Sequence, residues 1–138
     1  MNVIVTDEGF AADNWSGDFI TSDTLAANQL APISLDLSPD CSPENLTGQL
    51  DELAMIRIAF PSFADGRGFT IARRLRLMGY AGRLRAKGHV IADQYALARR
   101  SGFDEVEIDA DLAKRQPQDQ WTARANWQAH DYQSGLRG

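Results

Sequence analysis

The residues of this chain whose type and spacing suggest chemistry lie in the stretch "RLRAK", where Arg83, Arg85 and Lys87 alternate with Leu84 and Ala86. An extended backbone sends all three cations to one side. A parallel strand usually buries both of its faces. Three like charges on one face therefore need either a sheet edge guarded against aggregation or a wet cavity that holds an anion, and both alternatives stay open. Lys87 and His89 stand at the end of this stretch, the side on which parallel α/β proteins bind ligands. An imidazole can exchange a proton near physiological pH, which makes His89 a candidate proton donor as well as an ordinary capping or surface residue.

A second candidate is "FADGRGFT", residues 63–70. If a helix opens here, the free backbone N–H groups around Gly68 could hold an oxyanion, with Arg67 adding charge and Asp65 serving as an acid–base group. The alternative is a plain turn in which Gly66 and Gly68 supply special backbone angles and Asp65 holds the loop. Ile71 stands where a dinucleotide fingerprint needs its third glycine, and no P-loop Lys-Ser/Thr pair follows. Two histidines and one cysteine cannot build a four-ligand zinc site, no CxxC pair exists for a cluster, and no GxSxG elbow appears. The reading is no metal site and no evident cofactor; redox chemistry would need a borrowed electron carrier.

The elements that must position these residues follow from periodicity. "ISLDL" (33–37) alternates as a strand does. "SPEN" starts a helix over 43–53, with Ser42 as cap and Pro43 in the first turn. "MIRIAF" (55–60) is a strand stopped by Pro61. A helix over 69–78 places Ile71, Leu75 and Met78 on one face. "RLRAK" is the third strand, a helix runs from about Val90 to Ser101 with Gly102 as a left-handed cap, and "EVEI" is the fourth. Asp109 or Asp111 caps a last helix that Pro117 interrupts, after which the chain is a second helix or an extended arm. Strands that alternate with helices through short connections imply an α/β fold: parallel strands with right-handed crossovers. An open three-layer sheet and a half (β/α)-barrel-like arrangement both satisfy this pattern. The chain divides into an irregular N-terminal segment (1–32), a βα core (33–110) and a C-terminal tail (111–138), all within one domain. In the tail, Trp121, Trp127 and Tyr132 are core residues or anchors of a subunit or partner interface.

With 138 residues, 43% of them hydrophobic and 24% charged, the chain has the content of one globular domain. No apolar run reaches the roughly 20 residues that a bilayer-crossing helix needs, and no leader pattern opens the sequence. With a lone cysteine, Cys41, a cytoplasmic protein is expected. The net charge of −5 hides a division: the stretch 67–100 carries nine basic residues against the single acid Asp93, and the rest carries five basic and eighteen acidic ones. The acidic flanks argue against nucleic acid as partner. The basic middle either pairs with those flanks inside the fold or presents a surface to an anion or an acidic protein.

From Phe60 to Ile108 the chain reads "FPSFADGRGFTIARRLRLMGYAGRLRAKGHVIADQYALARRSGFDEVEI". Its Phe-Pro, Asp-Gly-Arg-Gly, Arg-Ala-x-Gly, Asp-Gln and Gly-Phe-Asp steps resemble the bacterial family known as domain of unknown function 934. The signature falls on Asp65, Gly66, Arg67, Gly68, Arg85, Gly88, Asp93 and Gln94. The resemblance assigns no catalytic residue. It implies an accessory protein of assimilatory sulfate or sulfite reduction, with sulfite reductase or another sulfur-assimilation protein as partner. The expected site is Arg67, Gly68, Arg85 and Lys87 converging on an oxyanion or nucleotide. The alternative is a small enzyme, an oxidoreductase included, that uses His89 or Asp65 on a phosphorylated or sulfated substrate. A homo-oligomer formed through the tail is a further expectation.

Overall fold

The computed structural model describes residues 2–21 and 33–127. Seven strands form one sheet: β1 (Asn2–Thr6), β2 (Gly9–Ala11), β3 (Phe19–Thr21), β4 (Ile33–Leu37), β5 (Leu53–Phe60), β6 (Arg83–Gly88) and β7 (Glu105–Asp109). Four α-helices accompany them: α1 (Arg67–Leu77), α2 (Tyr95–Ser101), α3 (Ala110–Arg115) and α4 (Gln118–Thr122). The spatial order is β2-β1-β7-β6-β5-β4-β3. β3 to β7 pair in parallel, and β1 closes the far side antiparallel to β7 and to β2. The fold is α/β, as the alternation of elements implied.

From β4 to β7 each strand is laid beside its predecessor in a constant direction, so crossovers of one hand put every helix on the same face. Leu35, Ile56, Leu84 and Val106 point from the strands into a single apolar cluster that also takes Phe69, Leu75, Tyr95, Leu112 and Trp121 from the helices. A three-layer sheet requires helices on both faces, and among the described residues they cover one. The other face is crossed by residues 12–18, which carry the chain from β2 at one edge to β3 at the other. Six strand spacings of about 4.8 Å make roughly 29 Å, and eight residue steps reach at most about 29 Å. This strap is therefore nearly extended.

Local differences from the sequence reading have identifiable causes. Residues 43–53 do not form one helix: two 3-10 turns, Pro43–Leu46 and Leu50–Glu52, flank Gly48 at φ +88°, and Leu53 already belongs to β5. α1 begins at Arg67 rather than at residue 69, and α2 is preceded by a 3-10 turn over Ala92–Gln94. Gly102 takes the left-handed cap at φ +116°, and Phe103 packs back and is buried. Asp109 caps α3 by accepting from the Leu112 N–H at 2.8 Å. Pro117 leads into α4, whose Trp121 is fully buried edge-on against Tyr95 at 6.1 Å, so this tryptophan is core. Tyr132, His130 and the proposed oligomerising end of the tail lie outside the described residues, as does 22–32 of the N-terminal segment. No helix among the described residues is long and apolar enough to cross a membrane.

Helix α1 meets the sheet at Gly68. A Cβ there would stand 2.4 Å from the Phe60 ring, which is wedged between Phe69 and Phe103 at centroid distances of 4.9 and 5.8 Å. The ring has no space to yield, so Gly68→Ala is expected to cost about 1–3 kcal/mol of stability. A urea-unfolding midpoint equal to that of the unaltered protein would show that the contact is not tight.

Candidate functional site

The helix-free face of the sheet is built from the alternate residues of each strand. Register places Asp36, Arg57, Arg85 and Glu105 side by side across four strands, with Ala59, Lys87 and Glu107 forming the next row toward the strands' C-terminal ends. β6 is therefore an interior strand, flanked by β5 and β7, and its cations are not guarding an edge. They are mostly neutralised in place. Arg85 is fully buried and donates to Glu105 at 2.6 Å, to Glu107 at 3.0 Å and to Asp13 of the strap at 3.1 Å. Arg57 forks onto Asp36 at 2.6 and 2.8 Å and reaches Glu107 at 3.1 Å. Arg83 pairs with Glu105 at 2.6 Å.

The strap completes this layer. Trp15 donates from its indole to Ser34 at 2.7 Å and lies under the Arg83 guanidinium, 5.4 Å from the ring centroid, while Phe19 stacks beneath Arg57 at 3.7 Å. Burial pushes the Glu107 carboxyl up, but the bond from Asn2 and the charges of Arg57 and Arg85 outweigh it and hold the group below the ordinary carboxylate value.

Where the row ends, a cleft opens. Ala59 is short at a register position whose neighbours are long, and the space above it is a cavity of about 460 Å³ lined by Thr21, Asp36, Ser38, Arg57, Phe60, Lys87 and Gly88, among others. That volume suits a small ligand. One wall is apolar, from Leu37, Phe60 and Pro61. Lys87 is half-buried there, with no hydrogen-bond or ion-pair partner among the described residues. Gly88 closes the strand at φ +123°, and a Cβ on it would come within 2.5 Å of the Phe60 carbonyl oxygen.

The residues expected to converge do not. Lys87 lines the cleft. Arg85 lies in the layer beneath and, with no exposed surface, cannot meet a ligand. Arg67 stands at the start of α1, gripping Asp65 through two bonds of 2.6 and 2.9 Å and also pairing with Asp40. Asp65 is held down to about 2 by those Arg67 bonds, so it keeps no proton to exchange near neutral pH. It also accepts the Arg67 backbone N–H, which puts the chain's own carboxylate at the positive end of α1. Gly68 serves packing. His89 is exposed and faces a different cavity, of about 530 Å³, with Phe63, Ile91, Leu112, Arg115 and Gln116.

Arg57, Asp36, Ser38 and the strap residue Asp13 were not singled out by sequence. The signal for the first two was present: an arginine inside "MIRIAF" and an aspartate inside "ISLDL" alternate in phase with "RLRAK" and "EVEI".

Residues 34–138 match the family described as a bacterial protein of unknown function, DUF934. The chain belongs to that family. No curated protein and no solved structure matches it. All the sheet carboxylates and arginines of the charged row fall inside the family match of this DUF934 protein, whereas the strap with Asp13 precedes it.

Removing the Arg85 charge would leave Glu105 and Glu107 buried without their shared cation, so Arg85→Met is expected to cost about 3–5 kcal/mol at neutral pH. In the unaltered protein Glu107 has a lowered pKa, so its contribution is present above the unfolded value near 4.5 and lost as pH falls through the folded one. In the variant Glu107 keeps Arg57 and Asn2 but loses the Arg85 charge, so its carboxyl takes up a proton more readily and the penalty should shrink as pH drops toward 4. Urea titrations of both proteins across pH 4–8 measure this, and a pH-independent difference would contradict the network's role.

Proposed function

We propose that this protein is an accessory binding protein for a small oxyanion or nucleotide, held at Lys87 in the cleft over β4, β5 and β6. Its working context is assimilatory sulfate and sulfite reduction. The observation that supports this is the charge balance of the basic middle. Of its nine cations, Arg67, Arg74, Arg76, Arg83, Arg85 and Arg99 pair with carboxylates that lie outside 67–100. Arg73, Lys87 and Arg100 are left without a partner among the described residues, and of these Lys87 lines the cleft at the C-terminal ends of the parallel strands, whereas Arg73 lines a groove on the helical layer. An ammonium in a cleft that also has an apolar wall and Ser38 in its lining favours a compact anion or an anion carrying a flat apolar part.

The sulfur setting comes from the family resemblance, whose members are described as accessory proteins of sulfite reduction or as oxidoreductases; sulfite reductase or another protein of that pathway would be the partner. Binding is favoured over catalysis because the two acid–base candidates stand away from Lys87: His89 faces the other cavity, and Asp65 is bound to Arg67.

A ligand that binds only the folded protein raises its melting temperature, by an amount equivalent to about 2.7 kcal/mol at a hundredfold excess over Kd. Thermal unfolding with sulfite, sulfate, adenylyl sulfate or ATP should show such a rise for at least one of them. Lys87→Ala should abolish it and Arg67→Ala should leave it. No rise with any of the four, or a rise that survives Lys87→Ala, would contradict the assignment.

A further inference from the structure

The other two unpartnered cations of the basic middle, Arg73 and Arg100, lie on the outer side of the helical layer, away from the cleft. There α1 and α2 leave a groove of about 310 Å³ lined by Phe69, Thr70, Arg73, Leu77, Leu97 and Ser101, with Arg74 at its end. Leu77 is 81% exposed and Leu97 41%, two of the three large apolar residues left exposed among the described residues. Helical spacing sets the pattern: Leu77 is one turn on from Arg73, and Arg100 is one turn on from Leu97. Leu77 and Leu97 therefore stand exposed beside the unneutralised Arg73 of the groove lining, and Arg100 follows Leu97 one turn on, outside that lining. Glu44 offsets Arg74 and is the acid paired at the groove.

We propose that this groove docks an acidic amphipathic helix of another protein, its apolar stripe on Leu77 and Leu97 and its carboxylates on Arg73 and Arg100. The inference goes beyond the oxyanion site and does not depend on what occupies the cleft. Charge complementarity selects the partner class: a surface that has spent its other arginines internally keeps two beside exposed leucines, and helix-in-groove recognition reads apolar anchors at helical spacing with charges to match. A second copy of the chain does not supply such a helix from its described residues. α1 and α2 contain no acid, and α3 and α4 turn their large apolar residues, Leu112 and Trp121, into the core.

The test is selection from a displayed library of random 16-residue peptides on the intact chain. The enriched peptides should carry leucine-type residues at i, i+3 or i+4 and i+7 with an excess of Asp and Glu. A synthetic copy of the most enriched peptide should lose about tenfold affinity per reversed charge in Arg73→Glu and in Arg100→Glu. Leu97→Ser should weaken it comparably, with melting temperature unchanged in all three. Lys87→Ala should bind the peptide as the unaltered protein does, which separates this inference from the oxyanion site. Enrichment without an acidic excess, or binding indifferent to Arg73→Glu and Leu97→Ser, would overturn it. So would a concentration-dependent dimer in light scattering that Leu77→Ser dissolves, because the groove's occupant would then be a second copy.

Discussion

A guanidinium with no access to water dictates the construction of the helix-free face. An isolated buried charge is costly enough that a protein either neutralises it or surrounds it with counter-charges. Arg85 is surrounded: Glu105 and Glu107 come from the neighbouring strand, and Asp13 comes from the strap. Glu107 is shared with Arg57, Arg57 with Asp36, and Glu105 with Arg83. One buried cation thus ties four parallel strands and the N-terminal strap into a single charged layer. The strap must cross the sheet close to β6 for Asp13 to reach Arg85, and this path also brings Trp15 to Ser34 and Phe19 to Arg57.

That layer explains why a sheet covered by helices on one face alone among the described residues does not expose an apolar second face. Ion pairs stand where a second set of helices would pack in a three-layer protein. The cleft exists because the layer stops: Ala59 contributes almost no side chain at the next register row, and Lys87 in that row has no carboxylate within ion-pairing distance among the described residues. The charged layer and the cleft therefore share one cause, the in-phase alternation of charged residues along adjacent strands and the place where it ends.

Much of the frame was legible in the sequence. Alternation located β4, β6 and β7 to within a residue, and Gly102 and Asp109 announced the helix boundaries that the backbone adopts. The breaks came where tertiary context outweighs local pattern. "PENLTGQLDEL" has helical composition but folds as two 3-10 turns, because Gly48 between them takes φ +88° and breaks the helical run. The cations of "RLRAK" did show that one face of that strand is polar. They did not show which acids meet them, since Asp13 lies 72 residues away from Arg85 in the chain and Glu107 lies 22. Such partners are fixed by strand order, which no local signal encodes. Arg67 and Gly68 were singled out for an anion, but the chain's own Asp65 and the Phe60 ring claim them. Conversely, the same phase of alternation in "ISLDL", "MIRIAF" and "EVEI" contained the whole charged row, readable only once the strands are known to be neighbours.

The proposed anion site is the cleft at Lys87, and neither the glycine-rich loop nor the histidine cavity. Backbone amide chemical-shift mapping during titration with sulfite and with adenylyl sulfate tests it most directly. Saturable shifts at Ser38, Ala59 and Gly88, with Arg67, Gly68 and His89 unmoved, are the predicted result. Saturable shifts centred on Arg67 and Gly68 or on His89, with the cleft amides still, would contradict it.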